Sequence, residues 1–168
     1  GYPQVLFHGK YKDQPPTEDE IRRWFENPVN GIGLMGGHGG VHCIDLDRKD
    51  FATQEDYDAA FLALQQNPLL ADAPIDHTPG GGDHFLIRLG SKPEFTNFSV
   101  TEGGHHAGEL LGHGRFFVIA PTTGPDGKSY ETIQTGEPPL IEDLGAIGIH
   151  KYSKAKPASK PSTPKTSA

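Results

Sequence analysis

A mostly apolar stretch that ends in two aspartates constrains the fold of this chain more than any other feature of its sequence. Residues 41–47 read Val-His-Cys-Ile-Asp-Leu-Asp. The pattern predicts a β-strand, in which residues two apart share a face. Ile44 and Leu46 would then point into a core, and Asp45 and Asp47 would share the opposite face. We therefore expect a sheet that carries two neighbouring carboxylates at the end of one strand.

The two aspartates admit two interpretations. Carboxylates a few ångströms apart repel each other, and a cation between them favours their charged forms. Hard divalent cations such as Mg²⁺ prefer oxygen ligands. The pair therefore indicates either a metal-dependent phosphoryl-transfer site or a surface strand end whose acids are solvated. The Asp-x-Asp pattern alone does not separate the two.

Length and composition indicate one loop-rich α+β domain. The chain has 168 residues, of which 34% are hydrophobic, and it contains 22 glycines and 15 prolines. This length suffices for one sizeable core, and the glycine and proline content argues against a helical bundle. We expect residues 1–150 to form the domain. Residues 151–168, rich in Lys, Pro, Ser and Thr, are predicted to be a linker or a disordered tail.

Charge is divided unevenly along the chain and bears on the kind of partner. The net charge is −7, yet all 22 acids lie in residues 1–150, and residues 151–168 carry five lysines and no acid. An acidic body argues against nonspecific wrapping of duplex DNA, which depends on many contacts between basic side chains and phosphates. It does not exclude a nucleic-acid enzyme whose carboxylates surround metal ions.

Cysteine content and hydropathy indicate where the protein works. Cys43 is the single cysteine, which excludes an internal disulfide and a cysteine-based structural zinc site and favours a reducing compartment. No apolar run approaches the roughly 20 residues of a membrane-spanning helix. We therefore expect a cytoplasmic protein with no membrane partner.

A first helix is predicted shortly after the two prolines at positions 15 and 16. Thr17 and Glu20 have the spacing of a capping box, which marks a helix start. The face expected to pack into the core follows at Ile21, Trp24 and Phe25.

The remaining segments are predicted as a second helix, strands and loops. The glycine-rich residues 36–40 are expected to join strands at residues 31–35 and 41–46 into a β-hairpin. This loop lacks the Gly-Lys-Ser/Thr of a Walker A motif, so turn formation and close approach of a nucleotide both stay open. Residues 91–108 are expected to form a long polar loop. The other elements are a helix over residues 55–66 and strands over residues 4–7, 74–78, 84–89, 115–120 and 130–133.

Two further segments add groups that suit phosphoryl transfer. A glycine-rich turn leads to His84, which shares a strand face with Arg88, and Glu109 precedes another predicted strand. Two-metal nucleotidyl transfer uses carboxylates to hold two cations about 3.5–4 Å apart. Asp45, Asp47 and Glu109 supply three carboxylates, and His84 supplies a group that could contact a triphosphate.

The order of five segments carries a family resemblance. They are Pro-Thr-Glu-Asp-Glu-Ile-Arg-Arg-Trp-Phe (16–25), Gly-Ile-Gly-Leu-Met-Gly-Gly (31–37) before the Asp-x-Asp strand, Thr-Pro-Gly-Gly-Gly-Asp-His-Phe-Leu-Ile-Arg (78–88), Gly-Glu-Leu-Leu (108–111) and Arg-Phe-Phe-Val-Ile-Ala-Pro-Thr-Thr (115–123). The chain resembles the primase–polymerase (prim-pol) domain of the archaeo-eukaryotic primase superfamily over roughly residues 15–131. More narrowly, it resembles the bifunctional primase/polymerase N-terminal domain found on plasmids, phages and other mobile elements.

The resemblance implies a fold and a set of metal ligands. The fold would be an α+β primase–polymerase catalytic core, in which an RRM-like mixed sheet with flanking helices lies beside a smaller αβ unit. The active site would lie in the cleft between the two. Asp45 and Asp47 match the family's Asp-x-Asp motif and Glu109 matches its third acid, so these residues would hold two Mg²⁺ or Mn²⁺ ions.

The resemblance also implies the nucleotide contacts, with two departures from the family pattern. His84 matches the histidine of a Ser-x-His motif that contacts the triphosphate, but Gly82 stands in the serine position. The third acid is a glutamate where the family has aspartate. Thr123 matches the hydroxyl residue of the family's Ala-Pro-Pro-Ser, and Gly81, Gly82 and Arg88 complete the expected nucleotide-binding set.

The implied function is template-dependent nucleotidyl transfer by a DNA primase and polymerase in the replication of a mobile element. Its partners would be a DNA template and primer, dNTP or NTP, and a fused or separate helicase or primase accessory domain. A metal-dependent phosphohydrolase and a catalytically idle nucleotide- or primer-binding module stay open as alternatives. A dedicated zinc site is a further alternative to solvated loop histidines at His38, His42, His105, His106 and His113.

Overall fold

The computed structural model of the chain describes residues 8–27 and 31–154. Two α-helices occur in this part, α1 (Glu18–Trp24) and α2 (Gln54–Gln65). A threonine precedes each helix, and its side chain accepts a hydrogen bond from a backbone N–H of the first turn. At α1 the Glu20 carboxylate also accepts from the N–H of Thr17, which confirms the predicted capping box.

Eleven strands occur in the described residues. They are β1 (Ile32–Met35), β2 (Val41–Leu46), β3 (Ile75–His77), β4 (Asp83–Leu89), β5 (Asn97–Ser99), β6 (Gly108–Leu111), β7 (Phe116–Ile119), β8 (Thr122–Thr123), β9 (Ser129–Gln134), β10 (Leu140–Ile141) and β11 (His150–Lys151).

The strands form one large mixed sheet and one small sheet. The order in the large sheet is β11-β5-β6-β2-β4-β3-β9-β8, and β10 also pairs with β4. The β10–β4 pair is parallel and the other pairs are antiparallel. With its mixed sheet and few helices, the domain is α+β, as predicted. The strand that ends in Asp-x-Asp, β2, lies near the middle of this sheet between β4 and β6.

One face of the large sheet carries the main hydrophobic core. Ile44 and Leu46 of β2 are fully buried there, as their alternation with the aspartates predicts. Phe85 and Ile87 of β4 point to the same side, and the buried face of α2 packs against these residues through Leu64. Because this face is occupied by apolar side chains, the alternate residues of β2 and β4 must project from the other side.

The small sheet covers part of that other side. It consists of β1 and β7, paired antiparallel with Ile32 opposite Ile119. Phe117 of β7 packs with Cys43, Leu86 and Leu111 of the large sheet in a second, smaller apolar cluster. The cluster covers the middle of β2, and Asp45 follows two residues later on the same face.

The expected β-hairpin between residues 31–35 and 41–46 is wrong, although both strands exist. β1 pairs with β7 and not with β2. The N–H of Gly36 donates to the carbonyl of Arg115, so the residue after β1 is still hydrogen-bonded to the segment that leads into β7. Gly37 then turns the chain with φ +98°, a conformation that glycine adopts at little cost, and β2 enters the large sheet.

The apolar face predicted for α1 does not reach the core in the described structure. The helix has no buried residue, and Ile21 and Phe25 are 41% and 44% exposed. Trp24 is half-buried and meets the Tyr11 ring edge-on at a centroid distance of 5.2 Å. Periodicity predicts that a helix has an apolar face, but it does not name the surface that covers the face.

The expected long polar loop at residues 91–108 contains a strand. Phe98 of β5 is fully buried in the main core, and the carbonyl of Asn97 accepts a hydrogen bond from the N–H of Tyr152. Folded chain therefore continues past residue 150, the limit expected for the domain. The strand expected at residues 4–7 and the tail from residue 155 lie outside the described residues. No helix in the described part of the chain is long and apolar enough to cross a membrane.

Candidate active site

Three of the predicted site residues form a row across adjacent strands. Asp45 on β2 lies directly opposite His84 on β4 and directly opposite Glu109 on β6. Residues opposite each other in antiparallel strands share a face and have Cβ atoms about 4.5–5.5 Å apart. Strand pairing therefore brings together side chains that are far apart in the sequence. We call Asp45, His84 and Glu109 the acid–histidine row.

His84 is held so that one ring nitrogen faces Asp45. Its side chain is 7% exposed. The Nδ1–H donates to the carbonyl of Val118 at 3.0 Å, and Nε2 lies 3.5 Å from Oδ1 of Asp45. The rings of Phe117 and Tyr130 contact the imidazole at centroid distances of 6.3 and 5.9 Å. These contacts hold the ring so that its Nε2 edge faces the Asp45 carboxylate.

Asp47 lies one residue beyond the end of β2, where its backbone is still extended. Its carboxylate accepts from the N–H of Lys49 at 3.2 Å and so begins the 3₁₀ turn Arg48–Asp50. The Lys49 ammonium forms an ion pair with the same carboxylate. The hydrogen bond from the Lys49 side chain to the Asp47 carboxylate raises the pKa of Lys49, so the side chain stays charged.

Glu109 is also paired with a basic side chain. Its Oε2 accepts from Nη2 of Arg115 at 2.9 Å. The Glu109 and Arg115 side chains are 37% and 50% exposed. Water can therefore replace either partner, and the pair is a weak, surface type of ion pair.

The acid–histidine row and Asp47 fit a divalent cation in donor chemistry and strand register. Three carboxylates at one end of one sheet face are oxygen ligands of the kind that Mg²⁺ and Mn²⁺ take. Among the described residues, no group of three or more His, Cys, Asp or Glu side chains converges on one point. In this structure the carboxylates of Asp47 and Glu109 are paired with Lys49 and Arg115 instead.

A comparison with protein families places the chain. The model of the family described as bifunctional DNA primase/polymerase, N-terminal, matches residues 5–143. The chain belongs to this family. The prim-pol resemblance carried by the sequence motifs is thereby confirmed. No curated protein matches the chain.

Membership in this family indicates a general chemistry. The family is described as DNA primases and polymerases, so at the family level the chemistry is nucleotidyl transfer, with DNA and nucleotides as substrates. The matched segment includes β2, β4 and β6 and therefore the whole acid–histidine row.

Two backbone amides of the glycine turn before β4 form hydrogen bonds within the turn. The N–H of Gly81 donates to the carbonyl of Thr78, and the N–H of Gly82 donates to the Thr78 hydroxyl. A Cβ on Gly82 would lie 2.5 Å from the carbonyl oxygen of Leu46. The turn therefore packs directly against the end of β2, which leaves little room for a side chain at Gly82.

Two predicted nucleotide contacts lie apart from the acid–histidine row. Arg88 is exposed and follows His84 by four residues, which places it about 13 Å farther along the strand. Thr123 lies in the β8–β9 hairpin, where its hydroxyl is 2.8 Å from that of Ser129. The neighbouring hydroxyl of Thr122 accepts the N–H of Ile32 and so links β8 to β1.

Sequence reasoning missed Asp76, which extends the row by one strand. Asp76 on β3 lies directly opposite His84 and is only 8% exposed. Its Oδ2 accepts from the N–H of Ala120 at 2.8 Å. An acid inside the short strand predicted before the glycine turn could have indicated Asp76, but Asp76 matches none of the family motifs that indicated Asp45, His84 and Glu109.

Asp83 is a second buried acid that the sequence reasoning did not single out. It lies next to His84 in sequence but points to the opposite face, and it is 3% exposed. The Tyr57 hydroxyl of α2 donates to one carboxylate oxygen, and Nδ1 of His77 lies 2.9 Å from the other. Burial and then the Asp83 carboxylate raise the pKa of Tyr57, so the hydroxyl remains a donor. This arrangement ties α2 to the start of β4.

Negative charge from the row is felt by two neutral neighbours. Burial, then Asp45 and Asp76, raise the pKa of the Cys43 thiol well above its usual range. Burial and then Asp45 raise the pKa of Tyr130. Both groups therefore stay protonated and add no further negative charge beside the row.

The five histidines considered as zinc ligands are engaged separately. His38 and His42 approach the carbonyls of Tyr11 and Gly40. The others meet different partners, which are Phe51 for His105, Asp50 and Asn97 for His106, and Asp13 for His113.

Proposed function

We propose that this prim-pol domain catalyses template-dependent nucleotidyl transfer with two divalent cations, Mg²⁺ or Mn²⁺. The observation that carries the proposal is the strand register, which sets Asp45 between His84 and Glu109 on one face of the sheet. A nucleotidyl transferase needs carboxylates for cations beside a group for phosphate, and this row provides both kinds.

In this mechanism Asp45, Asp47 and Glu109 hold the cations. The bound ions would activate the attacking 3′-hydroxyl and neutralise charge on the triphosphate. Phosphate oxygens accept hydrogen bonds, so the His84 ring would donate to them from a protonated Nε2. Its orientation needs no rearrangement during binding, because the Val118 carbonyl already fixes the other ring nitrogen.

The proposal extends to the arrangement of the catalytic core. We assign the large sheet to the RRM-like part and β1–β7 to the smaller unit, with the substrate cleft where the two face each other. The second apolar cluster around Phe117 supports this assignment, because it joins the two sheets next to the row. Thr123 and Arg88 would then lie at the margins of the bound substrate, and Gly81 and Gly82 would shape the wall behind it.

The substrates in this proposal are a DNA template and primer with dNTP or NTP. We place the protein in the replication of a plasmid, phage or other mobile element, in the cytoplasm, working with a helicase or primase accessory domain. Family membership supports the substrate class.

One observation favours a second candidate, a catalytically idle nucleotide- or primer-binding module. Asp47 and Glu109 are already paired with Lys49 and Arg115. An idle domain could keep these ion pairs permanently, whereas an active one must open them for cations. Metal binding and primer extension distinguish the two.

The deciding experiment is extension of a labelled primer–template with dNTPs or NTPs and Mn²⁺. We expect wild type to extend the primer, and Asp45→Ala and Asp47→Ala each to lose at least about 100-fold in rate, because each removes a cation ligand. Asp126→Ala changes an exposed turn acid and should retain activity. An inactive wild type under every metal and nucleotide, or active Asp45→Ala and Asp47→Ala variants, would contradict the proposal.

Calorimetry provides a readout that does not depend on activity. Mn²⁺ uptake by the wild type should disappear in the Asp45→Ala/Asp47→Ala double variant. Unchanged uptake would move the metal site elsewhere. Absence of uptake by a folded wild type would favour the idle module.

A further inference from the structure

We propose that Asp76 is a positioning residue of the nucleotide site, which fixes the end of β7 and through it the His84 imidazole. Its effect on nucleotide binding rests on the proposed function. Its effect on His84 rests only on contacts within this chain.

Asp76 occupies a position where an acid is costly without a purpose. It is 8% exposed on a three-residue strand whose neighbour Ile75 belongs to the main core. A buried carboxylate is tolerated when it accepts hydrogen bonds, and Asp76 accepts one from Ala120. In the pairing with β9, Ile75 lies opposite Gln134 and Asp76 lies opposite Thr132, so β9 has one extra residue between these two partners. Such irregularities re-aim side chains next to active sites.

The Asp76 and His84 contacts act on the same short piece of chain. His84 binds the carbonyl of Val118, and Asp76 binds the N–H of Ala120, two residues later. Asp76 and His84 are themselves directly opposite on adjacent strands. Two side chains of the large sheet therefore hold one donor and one acceptor at the end of β7.

These polar contacts supply what the apolar contacts between the sheets lack. Phe117 packs against Cys43, Leu86 and Leu111, and such contacts are non-directional. They keep the small sheet packed on the large sheet but restrict sliding of β7 along the large sheet only weakly. Hydrogen bonds have preferred distances and angles, so the Asp76–Ala120 bond sets where the Val118 carbonyl lies. Without it, we expect Val118 to shift and the Nε2 edge of His84 to lose its alignment with Asp45.

The experiment compares Asp76→Val, Asp76→Asn and the control Asp143→Val. Valine keeps the approximate shape and suits a strand but accepts no hydrogen bond, whereas the asparagine oxygen can accept the same N–H. Asp143 also accepts a backbone N–H, from Gly145 at 2.8 Å, but it is exposed and follows β10, which pairs with the far end of β4. The readouts are the NMR signals of the His84 ring nitrogens and calorimetric binding of dATP with Ca²⁺.

We expect Asp76→Val to move the His84 ring signals and to weaken dATP binding about tenfold, the scale of one lost hydrogen bond. Asp76→Asn should restore the wild-type positions of the ring signals and bring the dATP affinity to within about twofold of wild type. Asp143→Val should alter neither the ring signals nor the affinity. Unchanged His84 signals in folded Asp76→Val would overturn the inference. Wild type that binds no dATP would contradict the proposed function, while the ring signals would still decide the role of Asp76.

A measurement on wild type keeps the inference testable if Asp76→Val does not fold. The Ala120 amide should exchange its hydrogen with solvent far more slowly than an amide that lacks a partner. Exchange at the rate of an exposed amide would overturn the inference.

Discussion

At the scale of single residues, Gly82 shows how the site tolerates a departure from its family pattern. A serine at this position would place a Cβ 2.5 Å from the carbonyl oxygen of Leu46, closer than real Cβ contacts allow. The turn lies against the end of β2, next to Asp47. Glycine at this position therefore allows close contact between the turn and the strand that carries Asp45.

Gly82→Ala should destabilise the domain, and Gly80→Ala should not. A new Cβ at Gly82 meets backbone that cannot move easily, with an expected cost of about 1–3 kcal/mol. Gly80 has only the Thr78 hydroxyl within 4 Å, at 3.8 Å, so alanine fits there. Urea unfolding measures both variants. Equal stability of the two variants would contradict the close approach of Gly82 to the Leu46 carbonyl oxygen.

Lys49→Gln should raise the affinity for Mn²⁺ by a few-fold, because it removes an ammonium that competes for the Asp47 carboxylate. Calorimetric titration of Mn²⁺ measures the change. Lys128→Gln removes a charge from the exposed β8–β9 hairpin and serves as the control. Unchanged or weaker Mn²⁺ binding in Lys49→Gln would mean that Asp47 is not a cation ligand.

The sequence predicted all three members of the acid–histidine row and missed Asp76, which extends the row by one strand. Asp45, His84 and Glu109 could be named from motif order, although only strand pairing shows that they are neighbours. Asp76 belongs to no motif, and its importance comes from burial and from the Ala120 N–H, both of which arise on folding. Likewise, no pattern in the sequence indicates that Lys49 and Arg115 pair with the acids.

At the scale of elements, local patterns predicted what each segment is but not what it contacts. The strand at residues 41–46 has the predicted bounds, and α2 is displaced by one residue. The partner of β1 was predicted wrongly because a glycine-rich link of five residues suits a hairpin and a crossing to another sheet equally well. The core face of α1 was predicted wrongly for a similar reason, since an apolar face does not specify its partner.

The capping box of α1 should make this helix sensitive to acid. A hydrogen bond from Lys10, and then one from the N–H of Thr17, lower the pKa of Glu20 from 4.5 to about 2. Because the folded value is the lower one, the stabilisation is present above pH 4.5 and is lost as the pH falls through about 2.

Amide hydrogen exchange in α1, followed by NMR between pH 5 and pH 2, checks this expectation. After correction for intrinsic exchange, opening of the helix should increase over that range in wild type. Glu20→Gln, which cannot titrate, should show no such rise. A similar rise in both proteins would assign the pH effect to another group.

At the scale of the whole molecule, residues 155–168 and the rest of the chain carry opposite net charge. Removal of residues 155–168 deletes Lys156, Lys160 and Lys165 and no acid, which makes the net charge three units more negative. We expect the shortened chain to bind a primer–template more weakly at low salt and with a shallower salt dependence. Fluorescence anisotropy at several salt concentrations measures both quantities.

A full-length variant with these three lysines replaced by glutamine separates charge from chain length. It should bind like the shortened chain. Wild-type affinity in that variant would show that the last residues do not contribute through charge.

The pairing of β2 with β4 and β6 has a consequence for biosynthesis. Each member of the acid–histidine row comes from a different, distant part of the chain. Such a site has high contact order, so on the ribosome it cannot assemble until β6 has emerged. A fragment that ends before Glu109 would lack one member of the row and should therefore be inactive. Measured activity would then indicate that β2, β4 and β6 have all assembled.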